Sequence, residues 1–234
     1  MRIAIDGPCA AGKTTTAKRI AEDLGIVYVD TGAMFRAIAL YCQMSGITAD
    51  DVSQRIEDIS SAVSATIHDG KVLLFIDGYS GSSEELEAAI RTSEIAQSAS
   101  LLSQQQCIRD AVLRMEQAIC VSCDDIIMEG RDIGTVVMPN ADVKFYLDAN
   151  VLIRAYRRQL DLSAKGGHGV QPEEVLSQLV KRDKQDMERP IAPLKRAPDA
   201  TYVDNTRMSF EETVERLEAN IKLAIHNQDG ENYE

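Results

Sequence analysis

The run Gly7-Pro8-Cys9-Ala10-Ala11-Gly12-Lys13-Thr14 follows the apolar segment Ile3-Ala4-Ile5 and leads into a stretch with helical periodicity from Thr14 to Leu24. It satisfies the pattern GxxxxGK[ST] in the strand-loop-helix setting where that pattern has physical meaning. Small residues let backbone N–H groups turn inward around phosphate oxygens at the positive end of a helix. Lys13 then reaches the β- and γ-phosphates, and the Thr14 hydroxyl is placed to ligate Mg²⁺. Gly7, Pro8, Cys9, Ala10, Ala11, Gly12, Lys13, Thr14 and Thr15 are therefore the candidate ATP-binding residues, with Lys13 also a catalytic candidate and Thr14 the candidate metal ligand. The rival reading is a chance match in a glycine-containing strand-helix turn.

Further short apolar runs at Ile26–Val29, Ile126–Met128, Val143–Leu147 and Thr201–Val203 alternate with longer helical stretches such as Phe210 to Ile225. This alternation predicts an α/β fold of the P-loop NTPase type, a parallel sheet with helices on both faces. Two segments depart from it. Ser64–Ile67 and Val72–Ile76 alternate around the turn His68-Asp69-Gly70-Lys71 and read as a hairpin within an insertion on the core at about 62–100. The charged stretch at about 154–189, with Lys165-Gly166-Gly167-His168-Gly169 between two helical patterns, reads as a mobile helical lid. The 234 residues are expected to form a single kinase-sized domain, 1–234, with a polar tail after Asn227 expected to fray.

The formal charge of -12 sets a repulsive field against a nucleic-acid polymer, while small phosphates remain possible ligands because a few converging arginines suffice. No cleavable signal stretch and no membrane-spanning run is present, so no membrane partner is expected. Five scattered cysteines argue against a disulfide framework and for a reducing compartment, giving a cytoplasmic location as the expectation. Cys120-Val-Ser-Cys123 is a lone CxxC, to be weighed as a metal or redox pair against ordinary small residues before a strand. The acidic surface and the lack of an apolar interaction helix lean toward a monomer.

A phosphate loop does not choose between a kinase, a motor ATPase, a GTPase switch and a passive nucleotide-binding module. A guanine-reading NKxD is absent and the chain is short for an oligomeric motor. Arginines spread over several segments favour transfer to a small phosphorylated acceptor. Arg36, Arg131 and Arg189 come from three separate segments, and forked guanidiniums suit a phosphate gripped from several sides; for each of them a solvated surface charge is the rival. Arg154, Arg157 and Arg158 share a helical face at the start of the lid, where they would swing over a transferring phosphoryl group or form a plain charged face. Arg182, Asp186 and Arg189, spaced by four and three residues, would lie along one face of a helix. Glu129, ending an apolar strand, is a candidate for organising metal-bound water or a simple strand-end carboxylate.

Asp30-Thr31-Gly32-Ala33-Met34-Phe35-Arg36, Ile90-Arg91-Thr92-Ser93-Glu94, Glu129-Gly130-Arg131-Asp132-Ile133-Gly134-Thr135, Lys181-Arg182-Asp183 and Arg189-Pro190-Ile191-Ala192-Pro193-Leu194 occur in one order. With the phosphate loop they span positions 7 to 194, and the chain thereby resembles the bacterial cytidylate kinases. The resemblance implies a Mg-dependent transfer of the γ-phosphoryl group of ATP to CMP or dCMP. It implies that Thr31, Arg36, Arg131 and Arg189 hold the acceptor phosphate, and that Arg182 and Asp186 meet the ribose. Ser100, Arg109 and Asp132 would surround the base, with Phe35 in the same acceptor set, and Arg131, Arg157 and Arg158 would join Lys13 in catalysis. A carboxylate at Asp132 accepts from the cytosine N4 amino group and repels the oxygen that uracil presents there. The chain departs from the commoner family pattern at Cys9-Ala10, at Phe35 in a position often held by Tyr, and over Asp77–Leu86. Two alternatives stay open: a kinase for another acceptor such as UMP, AMP or a coenzyme precursor, and a protein that holds ATP without transferring it.

Overall fold

The computed structural model describes residues 1–164 and 171–231. The glycine-rich segment Lys165 to Gly169, and the end of the polar tail, lie outside the described residues. In chain order the elements are β1 (Arg2–Asp6), α1 (Lys13–Leu24), β2 (Val27–Asp30), α2 (Thr31–Met44), α3 (Ile56–Ala62), β3 (Val63–His68), β4 (Lys71–Ile76), α4 (Ser83–Ala89), α5 (Ser93–Leu102), α6 (Gln106–Ser122), β5 (Ile126–Gly130), β6 (Val143–Asp148), α7 (Val151–Ala164), α8 (Pro172–Glu188), β7 (Thr201–Asp204) and α9 (Phe210–Glu231). A one-turn π-helix, Ile133–Val137, follows β5. The chain divides into two compact units, Met1–Gly25 with Ile127–Glu234, and Ile26–Ile126.

In the first unit the strands run in the order β5-β1-β6-β7, and β1 pairs in parallel with β6, which pairs in parallel with β7. Ile3, Ala4 and Ile5 are all fully buried. Consecutive strand residues point to opposite faces, so a run without an exposed member means that both faces of β1 are covered. Ile20 of α1 and Leu217 and Ile221 of α9 are buried in the same unit, and α1 and α9 pack together. This is the mostly parallel α/β arrangement that the strand-helix alternation predicts. Among the described residues no helix is long and apolar enough to cross a membrane.

In the second unit the order is β3-β4-β2, with β2 and β4 parallel and β3 and β4 antiparallel. The expected hairpin is present in register Val63↔Ile76 to His68↔Lys71, closed by the two-residue turn Asp69-Gly70. After β4 the atypical segment Asp77–Leu86 turns and enters α4 through a capping box, in which the Ser82 hydroxyl and the Glu85 carboxylate satisfy each other's backbone N–H groups. Met34 and Ile38 of α2, Ile59 of α3 and Ile108 and Ile119 of α6 form its buried interior.

Candidate functional site

The phosphate loop leaves β1 at Gly7, whose φ of 152° brings its Cα so near β6 that a Cβ would sit 2.0 Å from the Leu147 carbonyl oxygen. It enters α1 through Gly12 at φ 91°, and α1 has neither a side-chain cap nor an acidic residue in its first turn. Its first N–H groups and positive end are thus left to an anion. Lys13 is buried, and its ammonium donates to the Pro8 carbonyl at 2.9 Å. Burial, with the charge of Arg131, pushes Lys13 down to about 8 against the opposing pull of Glu129, Cys9 and Asp6. The Thr14 hydroxyl donates to the buried Glu129 carboxylate at the end of β5, and Thr15 donates to the Gly12 carbonyl at 3.0 Å. Burial opposes ionisation of the Cys9 thiol, but Arg182, Arg131, Lys13 and Arg158 outweigh it and hold the thiol below its ordinary value.

Arg131 and Asp132 sit between β5 and the π-helical turn. That turn is fixed by Asp6, whose two carboxylate oxygens accept the Ile133 and Gly134 N–H groups, each at 2.8 Å. Burial raises Asp6 to about 6 although these two bonds favour its charged form. Arg131 donates to Asp186 at 2.9 Å. Arg189 donates to Asp132 at 3.4 Å and lies 3.7 Å from Asp186. Burial alone would raise Asp186, yet Arg131, Arg182 and Arg189 bring it below the usual carboxylate range. Against the cost of burial, Asp186 together with Cys9 and Glu129 holds Arg131 above the ordinary guanidinium value. The buried Nε of Arg182 meets no acceptor among the described residues. A buried N–H of this kind is open to a water or to a bound ligand.

Arg182 and Asp186 lie within α8 as the spacing predicts, but Arg189 does not share their helix. It stands one position past α8 with φ -60° and ψ 140°. The cause is Pro190, whose ring disfavours a helical conformation at the preceding residue. The guanidinium reaches Asp186 and Asp132 from this extended position and is held by donating to Ala192 O at 2.7 Å. A second correction concerns Arg154, read from sequence as a swinging lid residue. It is buried and donates to Asp183 at 2.6 Å, to Cys9 O at 3.0 Å and to Ala149 O at 2.9 Å. Arg157 instead donates twice to Asn205, to its side-chain oxygen at 2.9 Å and its carbonyl at 3.0 Å, while the Asn205 amide donates to Ala11 O in the loop at 2.9 Å.

In the second unit Asp30 caps α2 by accepting from Ala33 N–H at 3.0 Å. Its other oxygen accepts from Arg36 at 2.7 Å and from Arg91 at 3.4 Å. Burial works against the Asp30 charge, but Arg36 and Arg91 hold it below the usual carboxylate range. The buried Nε of Arg36 has no acceptor among the described residues. Arg109 of α6 lies 5.4 Å over the Phe35 ring and donates to Ser103 O at 3.3 Å. The ring alone supplies this cation–π contact, so a phenylalanine serves there as a tyrosine would. Thr31 is buried at the start of α2, and Ser100 lies on α5.

Asp6, Asp30, Asp183 and Asn205 were given no role from sequence. Asp30 and Asp183 lie inside the family-like blocks next to candidate arginines, which was a usable signal. Asp6 and Asn205 carried none, because each acts on a backbone group far away in the chain. Among the described residues no group of three or more His, Cys, Asp or Glu side chains forms a metal cage, and none of the five cysteines is joined in a disulfide.

A model of the family described as cytidylate kinase matches residues 3–223. The chain is 43% identical over 216 residues to the cytidylate kinase of Thermosipho melanesiensis, covering 92% of this chain and 94% of that one. It is 40% identical over 220 residues to the cytidylate kinase of Citrifermentans bemidjiense, covering 94% of this chain and 92% of that one. A solved structure of an uncharacterized protein from Eubacterium ventriosum superposes with a TM-score of 0.50 at 11% identity, covering 95% of this chain and 98% of that one, a likeness of fold.

Proposed function

Because the chain belongs to the cytidylate kinase family, we propose that it transfers the γ-phosphoryl group of ATP to CMP or dCMP, giving ADP and CDP or dCDP. The supporting observation is the cluster in which Arg131, Arg182 and Arg189 surround Asp186 and Asp132, with the Arg182 Nε lacking an acceptor among the described residues. A ligand carrying both a phosphate and an exocyclic amino group matches that pairing of guanidiniums with a carboxylate.

The acceptor needs no general base, since the second pKa of a phosphate monoester is about 6 and its attacking oxygen is already largely ionised at neutral pH. The protein's part is to position the two nucleotides and to neutralise charge. Backbone N–H groups from Ala10 to Thr15 and the open end of α1 receive the ATP phosphates, and Lys13 exchanges its Pro8 carbonyl for the β- and γ-phosphate oxygens. Thr14 and Glu129 bring a hydroxyl and a carboxylate oxygen together, and such hard oxygen donors, one of them charged, fit Mg²⁺. Bound there, Mg²⁺ neutralises charge on the β- and γ-phosphates. Thr31, Arg36, Arg131 and Arg189 hold the acceptor phosphate. Phe35, Ser100, Arg109 and Asp132 hold the base, and Arg182 and Asp186 the ribose. Arg131 and, from the lid, Arg157 and Arg158 stabilise the charge that develops on the transferred group. For Arg157 this requires leaving Asn205. Closure of the lid excludes water that would hydrolyse ATP. In this reading the chain works as one kinase domain with an acceptor insertion at about 62–100 and a lid at about 154–189, as a cytoplasmic monomer.

The test is a coupled ADP-release assay with ATP, Mg²⁺ and each of CMP, dCMP, UMP, AMP and GMP at equal concentration. Turnover confined to CMP and dCMP is expected. Equal turnover with UMP refutes the base assignment, and ADP release independent of any acceptor refutes the kinase reading.

A further inference from the structure

Two side chains close on one peptide of the phosphate loop. Asp183 of α8 accepts the Cys9 N–H at 3.3 Å with one oxygen and an Arg154 N–H at 2.6 Å with the other. The same Arg154 nitrogen donates to the Cys9 carbonyl at 3.0 Å, so both polar groups of residue 9 are engaged. Both residues are buried, the Arg154 side chain 7% and the Asp183 side chain 10% exposed. Around them Cys9 and Ala10 pack against the apolar cluster Ala155, Val175 and Leu179 of α7 and α8. Ala10 is held there in a left-handed conformation, φ 60°, that a residue with a Cβ rarely adopts. The two departures from the familiar loop sequence are therefore the residues on which the α7–α8 pair is seated.

The arrangement carries an electrostatic problem. A carboxylate accepting from the phosphate loop would repel the polyphosphate that the loop is built to hold, and at short range in a buried site that repulsion is large. Only a neutralised carboxylate is compatible with tight binding there. We infer that Asp183 and Arg154 are positioning residues that act as one neutral unit. Asp183 fixes the Cys9 peptide, and Arg154 cancels the carboxylate charge that would otherwise oppose the ATP phosphates. The inference rests on the ATP-binding half of the proposed function and is independent of which acceptor is used.

The charge argument gives a sign pattern that a purely structural role does not. Arg154→Met removes the cation hydrogen-bonded to the Asp183 carboxylate and weakens binding of a non-hydrolysable MgATP analogue by about tenfold or more. Asp183→Asn keeps an oxygen for the Cys9 N–H and leaves the Arg154 cation facing only Asp148, 3.9 Å away, so the analogue binds as tightly as to the unaltered protein or more tightly. The double variant returns to within about threefold of the unaltered protein, because the two charges leave together. Calorimetric titration of the full chain without acceptor reads these affinities, and thermal melts report folding. Where Arg154→Met does not fold, Arg154→Lys tests the same point, since it keeps the charge while giving up forked hydrogen bonds, and it is expected to lose less than about tenfold. Equal weakening by Arg154→Met and Asp183→Asn overturns the inference. So does a double variant as weak as Arg154→Met, or a tenfold loss in Arg154→Lys. Absence of analogue binding by the unaltered chain would instead overturn the nucleotide-binding reading.

Discussion

Replacing Gly7 with alanine places a methyl group 2.0 Å from the Leu147 carbonyl oxygen and 3.0 Å from its carbon. An ordinary carbon–oxygen contact begins near about 3.3 Å, so β1 and β6 would have to part by about 1.3 Å at this point. Neither partner yields easily. Asp6 is in register with Tyr146, and on the far side Leu147 is in register with Val203 of β7. Overpacking of this kind costs about 1–3 kcal/mol, and an L side chain in a positive-φ conformation adds about 1–2 kcal/mol, giving about 2–5 kcal/mol in all. Gly12 provides the internal comparison. Its φ is also positive, at 91°, but an added Cβ would meet nothing nearer than the Asn205 amide at 3.6 Å, an ordinary contact. Gly12→Ala should therefore cost only the conformational strain, about 1–2 kcal/mol. Urea denaturation of both variants, with m-values matching the unaltered chain so that the free energies compare directly, measures the difference. About 2 kcal/mol between them, roughly a thirtyfold change in the folding equilibrium, is expected. A Gly12→Ala variant as unstable as Gly7→Ala, or a Gly7→Ala cost below about 1 kcal/mol, would refute the steric reasoning.

Lys13→Met should lower kcat by at least about a hundredfold while CMP binding, followed by calorimetry, changes little; undiminished turnover would exclude Lys13 from the phosphoryl-transfer step. Asp132→Ala should raise KM for CMP much more than for UMP and so lose at least about tenfold of the discrimination between them, and an unchanged ratio of kcat/KM would remove the base-reading role. Burial pushes Asp6 up to about 6, above the ordinary carboxylate range, so its contribution to stability is whole below that range and is lost as the pH rises through about 6. The loss is on the order of 3 kcal/mol. Asp6→Asn should accordingly gain that much relative to the unaltered chain between pH of about 4 and 7 in urea titrations, and a gap that does not vary with pH would contradict the burial argument.

Much of this protein is written locally along its chain. The phosphate loop, the strands from Ile3 to Val203, the Asp69-Gly70 hairpin and the helix from Thr14 to Leu24 all follow from periodicity, turn chemistry and spacing, because backbone preference and the choice of buried face act over a few neighbouring residues. The blocks that identify the family are local too, and they delivered the candidate arginines with their chemistry. What the arginines bond to was not legible. Arg154 looked like Arg157 and Arg158, three charges on one helix, until α8 supplied Asp183, 29 positions further on. Asp6 was the last residue of an apolar strand, and its role depends on Ile133 and Gly134, which lie 127 and 128 positions away. Such pairings depend on strand order and on which helix covers which loop. Gly7 and Gly12 read alike in the motif, and they differ because β6, rather than solvent, lies beside the first of them. A side chain's type and period are fixed by its own stretch of chain, whereas its partner, and with it the charge it can offer a substrate, exists only once distant segments have packed.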